Sequence, residues 1–366
     1  MIDITLKVSG KKITGWKSVA FKRELNAMSS GADFVMSDRW GSSLRIPVLA
    51  KTELFLSGER VITGWPDDKK SGADARGHDV KIGMRSMTCD LVDCSILPDA
   101  AQMLETSIKD ALEGLLKPYK IPLRFEADDR RFNSFIPNAG DSVGSVIEKL
   151  CKENMLLYMD APDGGLRVFD IDRAQSAGKI IFHRDLERKD KTKGNVLSGE
   201  AHISARSRFS HYIVSGQHSP IGDEDPEDAY SSVEEAKDPA IDRYRPVVIN
   251  ADERADLAYV AATERARRIA KSIEASYVYP GWRNALGKLR SPGDFIEIDD
   301  DVNDLCGKFL VSSVELKTGG GGNITTIGVA PPEAFIIKPE QKSPDGAALA
   351  KKNYTCPAFM PTFEEL

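Results

Sequence analysis

Ile2-Asp3-Ile4-Thr5-Leu6-Lys7-Val8 is the stretch from which the fold class follows. Ile2, Ile4, Leu6 and Val8 fall on one face and Asp3, Thr5 and Lys7 on the other, the two-residue period of a half-buried strand. Ser9-Gly10-Lys11 supplies a turn, and strand-like runs follow at 16–21, 33–36, 46–55 and 61–65, separated by Gly- and Ser-containing breaks. That spacing predicts a small antiparallel barrel or sandwich. The polar stretch 66–77 reads as a hairpin loop and 78–85 as the returning strand.

The period changes near Pro98, which suits a first helical turn because its missing N–H costs nothing there. Leu104, Ile108, Ala111, Leu112 and Leu115 then recur at helical spacing until Lys117-Pro118. A second helix is expected over 141–153, with Val143, Val146, Ile147 and Leu150 on one side. Strands at 156–158 and 166–169 flank Pro162-Asp163-Gly164-Gly165, a hairpin signal. Residues 88–178 therefore form a small α+β domain after a first β domain at 1–87.

Strand patterns return over 179–335, at 180–182, 201–215, 276–279, 294–298, 308–316 and 323–329. Two insertions interrupt them. Residues 220–242, with Asp223-Glu224-Asp225-Pro226-Glu227-Asp228, are acidic and almost without apolar side chains, the composition of a surface loop. Residues 251–274 read as a helix. Asn250 and Glu253 open it as in a capping box, and Ala258, Ala262, Ala266, Ile269 and Ile273 form a narrow stripe suited to close packing on a sheet. The segment 336–366 is expected to be an extended C-terminal arm. The fold class is thus α+β, mainly β: β-rich, then α+β, then β-rich again.

At 366 residues the chain exceeds what one core usually supports. Fifty Lys and Arg stand against 56 Asp and Glu, a formal charge of −6 that argues against a protein built to coat nucleic acid or an anionic membrane. No stretch reaches the roughly 18 uncharged apolar residues of a membrane helix, and the first residues lack a basic-then-apolar leader, so a soluble protein made in the cytoplasm is expected. Cys89, Cys94, Cys151, Cys306 and Cys356 are scattered without a CxxC, which predicts reduced thiols.

Each candidate site has a plainer structural reading that fits better. Gly319-Gly320-Gly321-Gly322 leads into Asn323-Ile324-Thr325-Thr326, a strand rather than the Gly-Lys-Ser/Thr helix start of a phosphate loop, so a hairpin tip is expected. Gly140 and Gly144 lack dinucleotide-site spacing. Asp299, Asp300, Asp301 and Asp304 lack the central Gly and the terminal Glu of a calcium loop. His78, His183, His202, His211 and His218 show no HExxH; His202 and His211 share one predicted strand on opposite faces. No GxSxG is present, and the cysteines lack a reactive context, Cys89 and Cys94 reading as small packed residues. Glu126, Asp128 and Asp129 are candidate hydrolytic acids only by being acidic. The stretch 183–193 cancels its own charge and reads as a solvated linker, whereas Arg265, Arg267, Arg268 and Lys271 form a denser cluster able to meet an acidic partner. No catalytic, cofactor-binding or metal residue is assigned, and no cofactor.

The run Gly58–Trp65, the stretch Gly83–Ser95 with Met84-Arg85-Ser86-Met87-Thr88-Cys89, and His211-Tyr212-Ile213-Val214-Ser215-Gly216-Gln217 resemble the baseplate hub proteins of Mu-like contractile phages. So do Tyr279-Pro280-Gly281-Trp282, Ser291-Pro292-Gly293-Asp294 and Val329-Ala330-Pro331-Pro332-Glu333-Ala334-Phe335. The resemblance spans most of 1–335 and extends to other tail hubs and type VI spikes. It implies two small antiparallel β-barrels per chain plus an α+β domain, assembling as a homotrimeric ring. Such a ring adapts a hexameric tail tube to a trimeric spike, the central puncturing protein, because three chains with two similar barrels each present six similar surfaces. It further implies a non-enzymatic protein of the virion tail baseplate, assembled in the bacterial cytoplasm, touching other baseplate proteins, passing DNA without specific binding and not inserting into a membrane. The rival reading is a cell-wall-degrading or peptidoglycan-binding tail protein.

Overall fold

In the computed structural model the described residues are 4–38, 46–48, 50–74, 77–97, 103–138, 140–185, 192–218, 230–251, 257–319, 322–336 and 354. The protein is mainly β with a minor helical component. It divides into two compact units that are not consecutive in the chain. Unit 1 comprises Met1–Gly178, Tyr277–Phe295 and Val311–Gly328; unit 2 comprises Lys179–Ser276, Ile296–Leu310 and Val329–Leu366.

In unit 1 the N-terminal alternation becomes the strand Ile4–Val8, with Leu6 and Val8 buried, paired antiparallel to Lys11–Ile13 and Thr52–Leu56. From Thr52–Leu56 the sheet continues through Glu59–Asp74, Gly77–Ser86, Gly31–Asp38 and Ser18–Glu24. The latter half of Leu305–Gly319 pairs with Ser18–Glu24, Ser313 opposite Glu24 and Thr318 opposite Val19. Among the described residues this hydrogen-bonded path does not close on itself. The expected loop 66–77 is corrected: residues 66–74 pair with Gly77–Ser86 after a register shift between Pro66 and Asp68. Side chains such as Lys69 and Lys70 are exposed there, so polar composition is compatible with a strand whose ladder supplies the backbone bonds.

The α+β part of unit 1 surrounds a core of Leu91, Ile108, Leu112, Leu115, Leu116, Val146, Ile147, Leu150, Leu166 and Val168. Pro98 lies outside the described residues, and the first expected helix is shortened. Met103–Ser107 is a strand paired with Arg131–Phe135, and the helix runs only over Ile108–Leu116, capped by Ser107 Oγ accepting from Asp110 N. Leu104, placed on the helical stripe by spacing, is exposed on that strand. A helix at Val143–Glu153, capped by Ser142, agrees with the expectation. Leu157–Asp160 pairs antiparallel with Leu166–Phe169, which runs parallel to Leu123–Glu126.

Unit 2 holds neighbouring strands Thr192–Gly194, Ser176–Arg184, Phe295–Asp300 and the first part of Leu305–Gly319. It also holds a separate three-stranded sheet. There His211–His218 lies between Tyr230–Lys237, antiparallel, and Pro246–Ala251, parallel. Two expectations are corrected here. Residues 230–237 of the acidic insertion are strand, because ladder pairing to His211–His218 compensates for sparse apolar side chains; residues 219–229 lie outside the described set. The single strand expected over 201–215 is two, Ser198–Ile203 and His211–His218, broken by a tight turn at Ala205–Ser207. The helix spans Leu257–Ala270; Asn250 belongs to a strand and Glu253 lies outside the described residues. Its buried residues are Ala261, Ala266 and Ala270, while Ala258 is exposed.

Candidate assembly surfaces

Unit 1 is fastened by a buried charge network. Arg23, on the strand Ser18–Glu24, and Asp160, at the end of Leu157–Asp160, are 7% and 1% exposed. The guanidinium donates from Nε to Asp160 Oδ1 at 3.2 Å and from Nη2 to Asp160 Oδ2 at 3.1 Å. The same Nε also meets Ser30 Oγ at 3.0 Å and the same Nη2 the Val61 carbonyl at 2.6 Å, and Ser30 Oγ donates to Asp160 Oδ1. Two charges out of water persist when they are paired and hydrogen-bonded in this way. Asn26 adds a two-way backbone clamp, its N–H on Tyr158 O at 2.8 Å and its Oδ1 on Tyr158 N at 3.2 Å, while Thr63 Oγ1 donates to Pro162 O at 2.9 Å. Arg85 reaches from the sheet to Asp93 at 2.7 Å and Asp67 at 2.6 Å, and its hydrogen bonds hold the Asp93 carboxyl below the usual range. The N-terminal sheet and the α+β part are thus laced through charged groups far apart in sequence, a pairing no local spacing announces.

Unit 2 presents a different surface. In its three-stranded sheet Tyr212 and Val214 are buried, while the alternate residues Ile213, Val233 and Val248 point to the opposite face, where Val233 and Val248 are 58% and 64% exposed. At the base of this sheet Arg208 forms a bidentate pair with buried Asp238, at 2.8–3.0 Å, and the Phe209 ring carries the guanidinium of Arg245 at 5.0 Å and of Arg268 at 5.5 Å. Glu264 accepts from Arg267 at 3.3 Å and Arg268 at 2.6 Å. The cluster Arg265, Arg267, Arg268 and Lys271 is therefore joined by Arg206, Arg208 and Arg245, which sequence reasoning missed because a loop and a strand connection bring them to the helix end.

The other sequence candidates have structural duties. Gly319 and Gly322 are strand ends and Gly320 and Gly321 lie outside the described residues; Gly322 has φ +89°, suited to a hairpin tip. Gly144 is glycine for space, since a Cβ would meet Leu91 O at 3.0 Å and Met28 Cγ at 3.2 Å. Asp299 accepts from Lys179 at 2.9 Å and His183 at 2.8 Å, and these bonds hold its carboxyl below the usual range. Asp300 is buried and accepts from Val302 N, Asn303 N and Asn303 Nδ2, while Asp301 accepts from Arg184 N. Of the linker 183–193, His183 and Arg184 thus bond to these acids and 186–191 lie outside the described residues. Asp304 adopts a left-handed turn at φ +57°. Among the described residues no three His, Cys, Asp or Glu side chains gather as for a metal. Glu126 is paired with Arg167 at 2.7 Å, a bond that holds its carboxyl low and disfavours the protonated form a general acid needs; Asp129 accepts from Lys109 N at 3.1 Å. Burial pushes the Cys89 and Cys151 thiols up to about 12, which keeps them protonated. The expectation of five reduced thiols is corrected: Cys89, Cys94 and Cys151 are free, but Cys306 is disulfide-bonded, a link that leaves no close-spacing signal in sequence; Cys356 lies outside the described residues. Within the expected arm, Tyr354 is buried against the Phe309 ring at 5.0 Å, its hydroxyl donates to Glu333 and its carbonyl accepts from Cys306 N at 2.7 Å.

Comparison with known proteins relates the chain to a class. Residues 3–86 match the N-terminal domain of the Mu phage baseplate assembly protein GpP-like family, and residues 88–170 match the second domain of the baseplate hub protein gp44-like family. The baseplate hub protein gp44 of Escherichia phage Mu is 27% identical over 350 residues, 92% of this chain and 90% of that protein. The 43 kDa tail protein of prophage MuSo2 from Shewanella oneidensis is 26% identical with a TM-score of 0.76, over 92% of this chain and all of the other. A tail protein from Neisseria meningitidis superposes with a TM-score of 0.75 at 18% identity, over 91% and 98% of the two chains. The fold also occurs in an Escherichia coli type VI secretion component, at a TM-score of 0.57 and 11% identity, over 91% of this chain and 79% of that one.

The chain is thus a phage tail protein, a component of the virion tail. Within that class it is similar, along nearly its whole length, to the baseplate hub and tail proteins of Mu-like phages.

Proposed function

We propose that this chain is a non-enzymatic baseplate hub that assembles as a homotrimeric ring, joins the hexameric tail tube to the trimeric spike and leaves a passage for DNA. On this reading 1–87 and 179–335 each supply one small antiparallel barrel, 88–178 the α+β domain and 336–366 an arm. Three copies of a pair of look-alike barrels present six similar surfaces toward the tube and three-fold symmetry toward the spike. The observation that carries the reading is likeness along nearly the whole chain to the Mu hub protein and the MuSo2 tail protein. The names of these relatives support a structural rather than a catalytic role. An obligate ring of this kind buries on the order of 2,000 Å² or more per interface. Assembly takes place in the bacterial cytoplasm before the virion is complete.

Solution mass combined with negative-stain imaging tests the proposal. A mass of three chains and a ring with a central opening are expected. A monomer at micromolar concentration, or an oligomer without a central opening, overturns it.

A further inference from the structure

Late in the chain, unit 2 closes on a single buried tyrosine. Tyr354 is 8% exposed, and two other segments of the same unit form its seat. Its carbonyl accepts from Cys306 N at 2.7 Å, and its ring meets Phe309 edge-on at 5.0 Å. Its hydroxyl donates to Glu333, which is 4% exposed, and so gives a buried carboxyl a donor. Gly307 faces the same ring. At φ +123° it holds a backbone conformation that favours glycine, and a Cβ there would stand 3.7 Å from Tyr354 Cδ1. The turn Pro332–Ala334, which carries Glu333, packs against the helix Leu257–Ala270. Tyr354 and Glu333 are 21 residues apart in sequence, so the expected arm is anchored to the unit it leaves.

The same seat holds a bridged cysteine. Cys306 is disulfide-bonded, whereas Cys89, Cys94 and Cys151, all in unit 1, are free. The chain has five cysteines, which leaves Cys356, two residues after Tyr354, as the partner of Cys306. Two residues span about 7 Å at most between Cα atoms, so a seated Tyr354 tethers the second thiol close to the first. Disulfides are rare in reducing cytoplasm, and a bridged pair in a chain with three free thiols points to a local oxidation rather than a disulfide framework.

From this seat and this count we propose that Tyr354 is the plug of a C-terminal clasp and that a Cys306–Cys356 disulfide is its lock. The lock is open in the reducing cytoplasm where the chain assembles and closes when the finished tail meets oxidising surroundings. That timing rests on the assembly reading above; the plug and the pairing do not. In the closing step one cysteine thiolate attacks a small disulfide, such as oxidised glutathione, and releases one glutathione thiol; the other cysteine then displaces the second. One S–S bond forms in the protein and one breaks in the oxidant, and the two thiol protons pass to the leaving thiolates. Closure fastens the arm covalently to unit 2.

The test uses the full chain, reduced and then exposed to oxidised glutathione. Peptide mapping without reductant is expected to show one link, Cys306 to Cys356, within a single chain, and cells alkylated before lysis to yield both thiols open. Tyr354→Ala should slow closure about tenfold or more, because the thiols are no longer held together. Tyr354→Phe keeps the ring and loses the hydroxyl; it should slow closure about threefold, the weight of one hydrogen bond, and it carries the test should Tyr354→Ala fold poorly. A link from Cys306 to Cys89, Cys94 or Cys151, a covalent dimer of chains, or closure of both variants at the parent's rate overturns the clasp. A bridge already complete in the alkylated cells overturns the redox gating. A monomeric parent that closes as described removes the ring and leaves the clasp standing.

Discussion

Among the described residues each unit contains an Arg–Asp pair whose carboxylate is buried, and the two pairs do opposite things. In unit 1 Arg23 and Asp160 stand 137 residues apart and fasten the N-terminal sheet to the α+β part. In unit 2 Arg208 and Asp238 stand 30 residues apart and close the base of a single sheet. The first is almost fully shielded, with Nε and Nη2 of Arg23 bonded within the core; the second leaves Arg208 18% exposed beside a basic surface. Unit 1 thus spends its charges on holding itself together. Unit 2 holds a small sheet with one face on an alanine-lined helix and the other face open, and it keeps cations where another molecule can meet them.

The largest expected effect breaks the first pair. Asp160→Ala leaves a shielded guanidinium without its partner, and unfolding in urea should show a loss of about 3–5 kcal/mol. The matching Asp238→Ala in unit 2 should cost about 2 kcal/mol, because the partly exposed Arg208 recovers some hydration. Equal losses in the two variants would erase the distinction between the units.

Smaller changes sharpen it. Gly144→Ala places a methyl against Leu91 O and Met28, and chemical unfolding should register a loss of about 1–2 kcal/mol from overpacking, with no change in assembly. Asp299→Asn removes an exposed ion-pair partner in unit 2 and should cost under about 1 kcal/mol at pH 7. Because the folded carboxyl lies below its ordinary value near 3.9, its contribution is full above that pH and is lost as pH falls through the folded value; thermal melts of the two proteins should therefore converge toward pH 3. The smallest effect on stability belongs to Val248→Ser on the open sheet face, within about 0.5 kcal/mol. If sedimentation shows weakened association in that variant while its melt is unchanged, the open face is an interface.

Much of the architecture was legible because it is written in local periods. The alternation of Ile4, Leu6 and Val8, the helix at Val143–Glu153 and the turn Pro162-Asp163-Gly164-Gly165 all announce themselves within ten residues. The errors fell where a neighbour overrides local composition. Leu104 sits at helical spacing yet joins a strand, because Arg131–Phe135 offers it a ladder. The polar residues 66–74 and 230–237 become strands for the same reason. Of the assembly surface, the cluster on the helix after 264 was visible as a run of arginines, but its meeting with Phe209 and Arg245 was not.

The sequence by itself determined the β, α+β, β order, the likeness to Mu-like baseplate hub proteins and the separation of an acidic run from a basic one. These depend on residue type and on spacing along the chain. Only the tertiary structure decided that Arg23 finds Asp160, that Cys306 is bridged and that 277–295 and 311–328 return to unit 1. Contacts of that kind are chosen by the whole core at once, since a buried charge or a sheet edge is satisfied by whichever distant partner the packing brings within about 3 Å.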